Sequence, residues 1–266
     1  IVWQKKYSPQ NDATYFSDMH DFLMVYAKKK KLSKNDPLGW QRILLPRTAE
    51  QNSRYKNPDN DPRGPWKPEN FTVKTYSPEY DYPIVTPSGR IVRPPSGRCW
   101  MTSEKEFEKL KEDNRIWFGK NGNNVPSLKS FLSEVQNGTV PTTWWERNEC
   151  GDNQEATQEL RSLFADTGVP FETPKPVRLI KRILQISTQP HENDIVLDFF
   201  AGSGTTAHAV LELNKEDGGN RSFILVQLPE RTNNGQYPTI AEVTKERIRR
   251  VIKKLNEQDN NKQQLD

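Results

Sequence analysis

"DIVLDFFAGSGTTAHAVLELNK", residues 194–215, decides the fold. An apolar run ends in Asp198 and two phenylalanines. A Gly-Ser-Gly-Thr-Thr turn follows, then an Ala- and Leu-rich segment free of glycine and proline. The order is strand, glycine turn, helix. With no polar alternation before Asp198, the strand reads as covered on both faces, the habit of parallel sheets. Ligands of open α/β sheets bind beyond the carboxyl ends of such strands. A helix amino terminus at Thr205–Thr206 adds unpaired N–H groups for an anionic group. Gly202, Gly204 and Ala207 are spaced Gly-x-Gly-x-x-Ala, which fits the dinucleotide fingerprint. Taken alone, that spacing also serves a plain tight turn.

The flanks extend the pattern. "PVRLIKRILQIS" (176–187) reads as a helix opened by a proline suited to its first turn. "RSFILVQLPE" (221–230) reads as a second buried strand. Helix, strand, helix, strand make one βαβ unit with a helix in front. "TIAEVTKERIRRVIKKLNEQ" (239–258) is an amphipathic helix with Ile248, Val251, Ile252 and Leu255 on one side. The last residues, "DNNKQQLD" (259–266), are expected to fray.

Upstream the texture is irregular. "DFLMVYAK" (21–28) reads as a short buried strand stopped by lysines. "NPDNDPRGPWKPEN" (57–70) carries four prolines and excludes regular helix or a central strand. "FTVKTY" (71–76) and "PIVTPSGRIVRPPSGR" (83–98) suggest short strands and turns. "TSEKEFEKLKEDN" (102–114) is a helix capped by Thr102 or Ser103, and "RIWFGKNGN" (115–123) a strand with a turn. "PSLKSFLSEVQNG" (126–138) is expected to be helical, because Leu128, Phe131, Leu132 and Val135 fall at i, i+3, i+4 and i+7. "QEATQELRSLF" (154–164) is a further helix.

Composition narrows the classes. Hydrophobic residues make up 33% of the 266, and there are 20 prolines. The mean hydropathy is −0.92. No apolar run approaches the ~20 residues of a membrane helix, and no signal-peptide pattern is present. Two cysteines, Cys99 and Cys150, are too few for a disulfide framework. The expectation is a cytoplasmic protein without a membrane partner. His20, His191 and His208 lie far apart, so no metal site is expected. The net charge is only +4, yet basic residues bunch at 27–34, 176–182 and 245–254. Each stretch alone reads as a solvated face; three together favour a polyanionic partner such as DNA or RNA. Ile1 at the start suggests that the chain begins inside a longer protein.

Two ligands compete for the glycine turn: a dinucleotide, or S-adenosylmethionine. The dinucleotide reading asks for an acid about 20 residues on, at the end of the second strand. This sequence has Gln227 there. "LDFFAGSGTTAHAV" resembles the cofactor motif of the amino-group DNA methyltransferases, Asp-x-Phe-x-Gly-Ser-Gly-Thr. "TPKPVRLIKRIL", just before it, resembles their Thr-x-Lys-Pro motif. In the permuted β class the order is catalytic motif, target-recognition region, Thr-x-Lys-Pro, then cofactor motif; this chain keeps the latter part. "PSGRCWMTSEKEFEKLKEDNRIWFGKNGNNVPSLKSFLSEVQNG" and "VPTTWWE" are similar to the modification subunits of type III restriction-modification systems.

The resemblance implies an α/β fold: a partial Rossmann-like S-adenosylmethionine-dependent methyltransferase sheet with a large irregular α+β target-recognition insertion. It implies S-adenosylmethionine as cofactor. Asp198 would meet the methionine amino group and Lys175, with Thr173, the carboxylate. Gly202 and Gly204 would admit the backbone, flanked by Phe199, Ser203, Thr205 and Thr206. Gln227 would replace the family's acid at the ribose, with Leu228 and Pro229 bordering the adenine.

The family's catalytic motif, Asp/Asn/Ser-Pro-Pro-aromatic, holds the target amine and stacks on the flipped base. It is absent from this sequence; "RPPSG" and "NDPRG" do not fit. Tyr15 or Phe16 is the candidate for base stacking, with a core role equally open. The implied domains are 1–30, remnant of the catalytic half; 31–165, DNA reading; 166–232, cofactor binding; and 233–266, a carboxyl-terminal helix and tail. The strand at 194–200 is expected to lose its usual neighbour and expose an edge. Arg63, Arg90, Arg93 and Arg98 are candidates for double-stranded DNA, and Trp144 and Trp145 for packing. The expected function is adenine-N6 methylation of a flipped DNA base, this chain alone being inactive. Implied partners are DNA, a second copy in a homodimer and a helicase/nuclease restriction subunit. The alternatives are a non-catalytic DNA-recognition module and, further off, a dinucleotide oxidoreductase.

Overall fold

The structure is a computed structural model and describes residues 1–33, 35–168 and 171–263. Lys34 of the first basic stretch and the last three residues of the expected frayed tail lie outside the described residues. The strands are β1 (Val2–Gln4), β2 (His20–Phe22), β3 (Trp66–Asn70), β4 (Thr72–Val73), β5 (Ile84–Val85), β6 (Ile91–Val92), β7 (Cys99–Trp100), β8 (Ile116–Trp117), β9 (Ser127–Phe131), β10 (Trp144–Trp145), β11 (Ile195–Asp198) and β12 (Ser222–Leu225). The helices are α1 (Ala49–Ser53), α2 (Glu104–Glu112), α3 (Arg147–Cys150), α4 (Asn153–Leu163), α5 (Val177–Ser187), α6 (Thr205–Asp217) and α7 (Ile240–Gln263). The chain is thus mixed α/β. It divides into two compact units, 1–45 with 140–266, and 46–139.

In the first unit α5 is the organising helix. Pro176 caps it in extended conformation, a position where a missing N–H costs nothing. Its apolar residues cover more than one face, so it is buried on two sides. Val177 and Leu184 pack with Ala209, Val210 and Leu213 of α6, and with Val196 and Phe223 of the sheet. Leu179 and Ile186 pack instead with Trp3, Leu45, Trp145 and Cys150. Trp3 and Trp145 come from neighbouring strands: β1 runs parallel to β10 and antiparallel to β2. α4 and α7 close a third cluster of Leu160, Phe164, Tyr237 and Val243.

β11 and β12 form a two-stranded parallel sheet, with Ile195 opposite Ser222 and Asp198 opposite Leu225. The crossover between them is α6, as the sequence order requires. The expectation that both strands are buried on both faces fails. Val196 and Phe223 face the helices, but Ile195, Leu197, Ile224 and Val226 are exposed. One layer of helix covers one face, and no described residue covers the other.

The expected strand at 21–28 is also corrected. β2 stops at Phe22, and Phe22, Met24, Val25 and Tyr26 are exposed. Leu23 alone in that run turns into the Trp3 cluster, its N–H held by the Ile1 carbonyl. An apolar run makes a buried strand only where something packs on it.

The second unit has a three-stranded antiparallel sheet, β3–β9–β8, beside two small ribbons. Pro68 sits on the outer strand β3, where a missing donor is tolerated. Its apolar core joins Phe71, Tyr82, Ile84, Val92, Trp100, Phe107, Ile116 and Phe118. The helix expected over 126–138 is instead the central strand β9 followed by a short 3-10 turn at Leu132–Glu134. Lys129 explains the change. Its side chain has no exposed surface and reaches Asp59 and, at 3.1 Å, Asp61. A buried ammonium needs such partners, and they come from a segment about seventy residues away. Phe131 is buried on the same face and carries Arg63 over its ring at 4.4 Å. No helix among the described residues is long and apolar enough to cross a membrane.

Candidate cofactor site

The glycine turn is held from three directions. Just past β12 the Val226 carbonyl accepts the Ala201 N–H at 3.1 Å. Just beyond, Gln227 Oε1 accepts the Gly202 N–H at 2.7 Å. Gly204 N–H closes the turn on Ala201 O at 2.8 Å. From α7, Thr244 Oγ1 donates to the Gly202 carbonyl at 2.6 Å. Gly202 and Gly204 have φ of 55° and 82°, the left-handed region where a Cβ is costly. A Cβ on Gly204 would also stand 3.1 Å from Thr244 Cγ2 and 3.3 Å from Thr244 O.

Asp198 ends β11 with both oxygens engaged. Oδ1 accepts the Phe200 N–H at 3.1 Å and Oδ2 accepts the Thr206 hydroxyl at 2.6 Å. These bonds aim the carboxylate and leave further lone pairs on each oxygen. A cavity of about 250 Å³ is lined by Asp198, by Phe200 to Ser203, by Thr205 and Thr206, and by Thr173, Pro174 and Lys175. The two motifs separated in sequence by about twenty residues therefore meet at one cavity. Lys175 Nζ lies 3.5 Å from Asp21 Oδ2 and 5.5 Å from the centre of the Trp3 ring. Asp21 is held below the usual carboxylate range, chiefly by Lys5 and then by Lys175. A cavity bordered by a fixed carboxylate and an ammonium suits a zwitterion carrying both opposite charges.

The other sequence candidates fall as follows. Phe199 and Phe200 are exposed and pack on one another at 5.1 Å. Gln227 spends its carbonyl oxygen on the turn. Leu228 and Pro229 are exposed beyond β12 and do not line the cavity. Tyr15 and Phe16 are exposed. Trp145 is fully buried and Trp144 is exposed.

Among the arginines, Arg63 is tied to Asp61 at 2.9 Å and Asp113 at 3.1 Å. Arg98 grips Thr72 through its hydroxyl and carbonyl at 2.8 and 2.9 Å. Arg90 and Arg93 are exposed, Arg90 against the Asn123 carbonyl and Arg93 3.3 Å from Asp81. Both cysteines are free and buried. Among the described residues no three His, Cys, Asp or Glu side chains gather as metal ligands.

One group escaped the sequence reading. Arg247 of α7 has no exposed surface. Its Nη1 donates to Ser203 Oγ and Thr205 Oγ1, each at 2.9 Å. Its Nη2 and Nε reach His208 Nδ1 at 3.1 and 3.3 Å. Because Arg247 can only donate, Nδ1 carries the lone pair and Nε2–H faces Glu212 Oε1 at 3.1 Å. Burial pulls the Arg247 guanidinium down to about 10, so it stays charged at neutral pH. Burial, aided by Arg247, pushes His208 below its ordinary value. In sequence Arg247 sits in "KERIRRVIKK" and looks solvated. The signal available was its position: Val243, Arg247 and Val251 are four apart, on one helix face.

A family model described as DNA methylase matches residues 1–232. The chain is 34% identical, over 96% of its length and 38% of the relative's, to the "Type III restriction-modification enzyme StyLTI Mod subunit" of Salmonella typhimurium strain LT2. It is 31% identical, over 90% of its length and 40% of the relative's, to the "Type III restriction-modification enzyme EcoPI Mod subunit" of Escherichia phage P1. Over 49% of the chain and 29% of the relative it is 34% identical to the "Type II methyltransferase M.KpnI" of Klebsiella pneumoniae. The chain spans about two-fifths of the length of the two Mod subunits.

Proposed function

The chain belongs to the DNA methylase family, and from that premise we propose that it is the target-recognition and cofactor-binding portion of an adenine-N6 DNA methyltransferase of a type III restriction-modification system. The observation that carries the reading is the shared cavity of Asp198, the glycine turn and Thr173-Pro174-Lys175. Its charges complement the methionine end of S-adenosylmethionine, which supplies a sulfonium-borne methyl group when bound. Asp198 takes the amino group and Lys175 the carboxylate, which draws Lys175 from Asp21. Gly202 leaves space where a Cβ would crowd Phe171, and Gly204 lets the back of the turn approach Thr244. Thr173, Ser203, Thr205 and Thr206 supply the polar lining, and Phe199 and Phe200 an aromatic rim. Gln227 spends its oxygen on the Gly202 N–H in place of the ribose role expected of it, and Leu228 and Pro229, outside this cavity, would border the adenine beyond it.

The partial Rossmann-like sheet is centred on β11 and β12. Further strands of such a sheet would pair at its open edges, and helices would cover its exposed apolar face. The division proposed is 1–30 as remnant of the catalytic half, 31–165 as DNA reader, 166–232 as cofactor half and 233–266 as terminal helix; the compact units, 1–45 with 140–266 and 46–139, draw the boundaries of the reader more narrowly. Within the reader, Arg90 and Arg93 are exposed and would exchange their contacts with Asn123 and Asp81 for DNA, whereas Arg63 and Arg98 hold the unit together. Tyr15 or Phe16 packs on the flipped base. The partners are double-stranded DNA, a second copy and a restriction subunit.

Titration calorimetry tests the reading. S-adenosylmethionine and S-adenosylhomocysteine should bind, NAD should not, and Asp198→Ala should lower the affinity at least tenfold. Tight NAD binding with no adenosylmethionine signal would overturn it.

A further inference from the structure

The residues matched to the DNA methylase model end at 232, and α7 begins at 240. Yet α7 touches the glycine turn at every residue from Gly202 to Thr205. Thr244 bonds the Gly202 carbonyl and crowds Gly204. Arg247 bonds the Ser203 and Thr205 hydroxyls. These bonds come from behind the turn: neither Thr244 nor Arg247 lines the cavity. We propose that α7 is the rear wall of the cofactor site, with Thr244 and Arg247 as positioning residues that fix the turn in its ligand-accepting form. The inference rests on the cofactor reading above and adds a second helix to it.

The physical case is one of pre-organisation. Gly202 and Gly204 both lie at positive φ, and glycine there visits other conformations at little cost. A turn free to wander binds with an entropic penalty for each residue it must order. Three bonds from one buried helix face remove that freedom before the ligand arrives. Arg247 suits the task because its planar fork spans two hydroxyls and an imidazole at once. A lysine there gathers its donors on one nitrogen at the end of a flexible stem and does not match that spread. Ser203 and Thr205, accepting from a fixed cation, turn their own O–H away from it.

Arg247 is itself fixed. His208 Nδ1 accepts from it, and His208 Nε2–H is anchored on Glu212. Glu212 in turn is 3.5 Å from Lys181 of α5. The helix that opens with the Thr-x-Lys-Pro motif and the helix behind the turn are thus linked through α6.

Thr244→Val and Thr244→Ser make the test, because valine keeps the shape and serine keeps the hydroxyl. Arg247→Lys and Arg247→Met accompany them. S-adenosylhomocysteine affinity is measured by calorimetry, and exchange of the 199–207 amides by deuterium uptake. Thr244→Val should bind about tenfold more weakly and exchange faster over 199–207, with α6 unchanged from residue 209 onward. Thr244→Ser should restore both. Arg247→Lys should fall between the parent and Arg247→Met. If Thr244→Val binds as the parent does with the same exchange, α7 has no positioning role. If affinity is lost only in step with global unfolding, its role is purely structural and the proposal fails. Lack of S-adenosylhomocysteine binding by the parent chain overturns the cofactor reading, and this inference with it.

Discussion

Lys129 and His208 are both buried and ionisable, and they respond to change in different ways. Lys129 is charged between Asp59 and Asp61, and Asp61 sits well below the carboxylate range, held first by Arg63 and also by Lys129. Lys129→Met takes the ammonium from Asp59 and leaves Asp61 to Arg63, and losing one partner of a buried pair costs ~3 kcal/mol. Urea unfolding should show that loss, and Asp59→Asn added to the same variant should recover part of it. His208 works through its neutral form. Around it stand Arg247 and Lys254 from α7, Glu212 of α6, and Glu159 of α4, the last two in the same cleft. As pH falls below the ordinary value of 6.5, an unfolded chain takes up a proton that folded His208 refuses. Stability is therefore complete above that value and drains as pH falls toward the lower folded pKa. The slope reaches at most ~1.4 kcal/mol per pH unit for one proton. His208→Gln should flatten that component below pH 6.5 in urea titrations. A variant as pH-dependent as the parent would remove His208 from the account. Asp198, Lys175 and the glycines were legible in sequence because their motifs are local. Lys129 and Arg247 were not, because a charged residue looks solvated until its partners, dozens of residues away, are known.

Elements show the same division. α5, β11, α6 and β12 are written in contiguous signals: a proline at the helix start, an apolar run, two glycines, a helix former run. β9 is not, since Leu128, Phe131 and the following Leu132 fit both a 3.6-residue period and a strand with a turn. The contest was settled by pairing with β3 and β8, a long-range event. The burial of β11 and β12 was misjudged for a related reason: apolar side chains state a preference, and neighbours decide whether it is met. Gly204→Ala forces a Cβ into a left-handed turn against Thr244, costing ~1–2 kcal/mol. Calorimetry on the folded variant should show S-adenosylhomocysteine affinity falling, whereas Gly89→Ala, a left-handed glycine with open space around it, should leave affinity unchanged. On the sheet, Leu197→Lys and Ile224→Lys sit on an exposed apolar face, so stability should change by less than ~0.5 kcal/mol. Light scattering should show less self-association, because patches of this kind associate. A large stability loss would mean that the face is covered in solution.

At the scale of the molecule, binding and chemistry separate. The first unit carries the cavity of carboxylate, glycine turn and lysine. The second carries Arg90 and Arg93 at its surface. Neither carries an Asp/Asn/Ser-Pro-Pro-aromatic sequence to hold a target amine. An amine in a stacked base is a poor nucleophile out of reach of a donor, so affinity for cofactor and DNA is not enough for transfer. The chain alone should therefore bind S-adenosylhomocysteine and shift duplex DNA while transferring no tritiated methyl group from S-adenosylmethionine. DNA affinity should weaken with salt, and replacing Arg90 and Arg93 by alanine should reduce the log–log slope by about one for each phosphate left without its cation. Arg63→Ala should behave differently, lowering the stability of the second unit, since it would take from Asp61 its arginine partner, leaving Lys129, and remove the guanidinium over Phe131. Supplying a segment with the missing motif should restore transfer to adenine. Transfer by the unsupplemented chain would show that another group on it holds the amine. Tyr15 and Phe16, exposed at 90% and 95%, would then be the first side chains to replace.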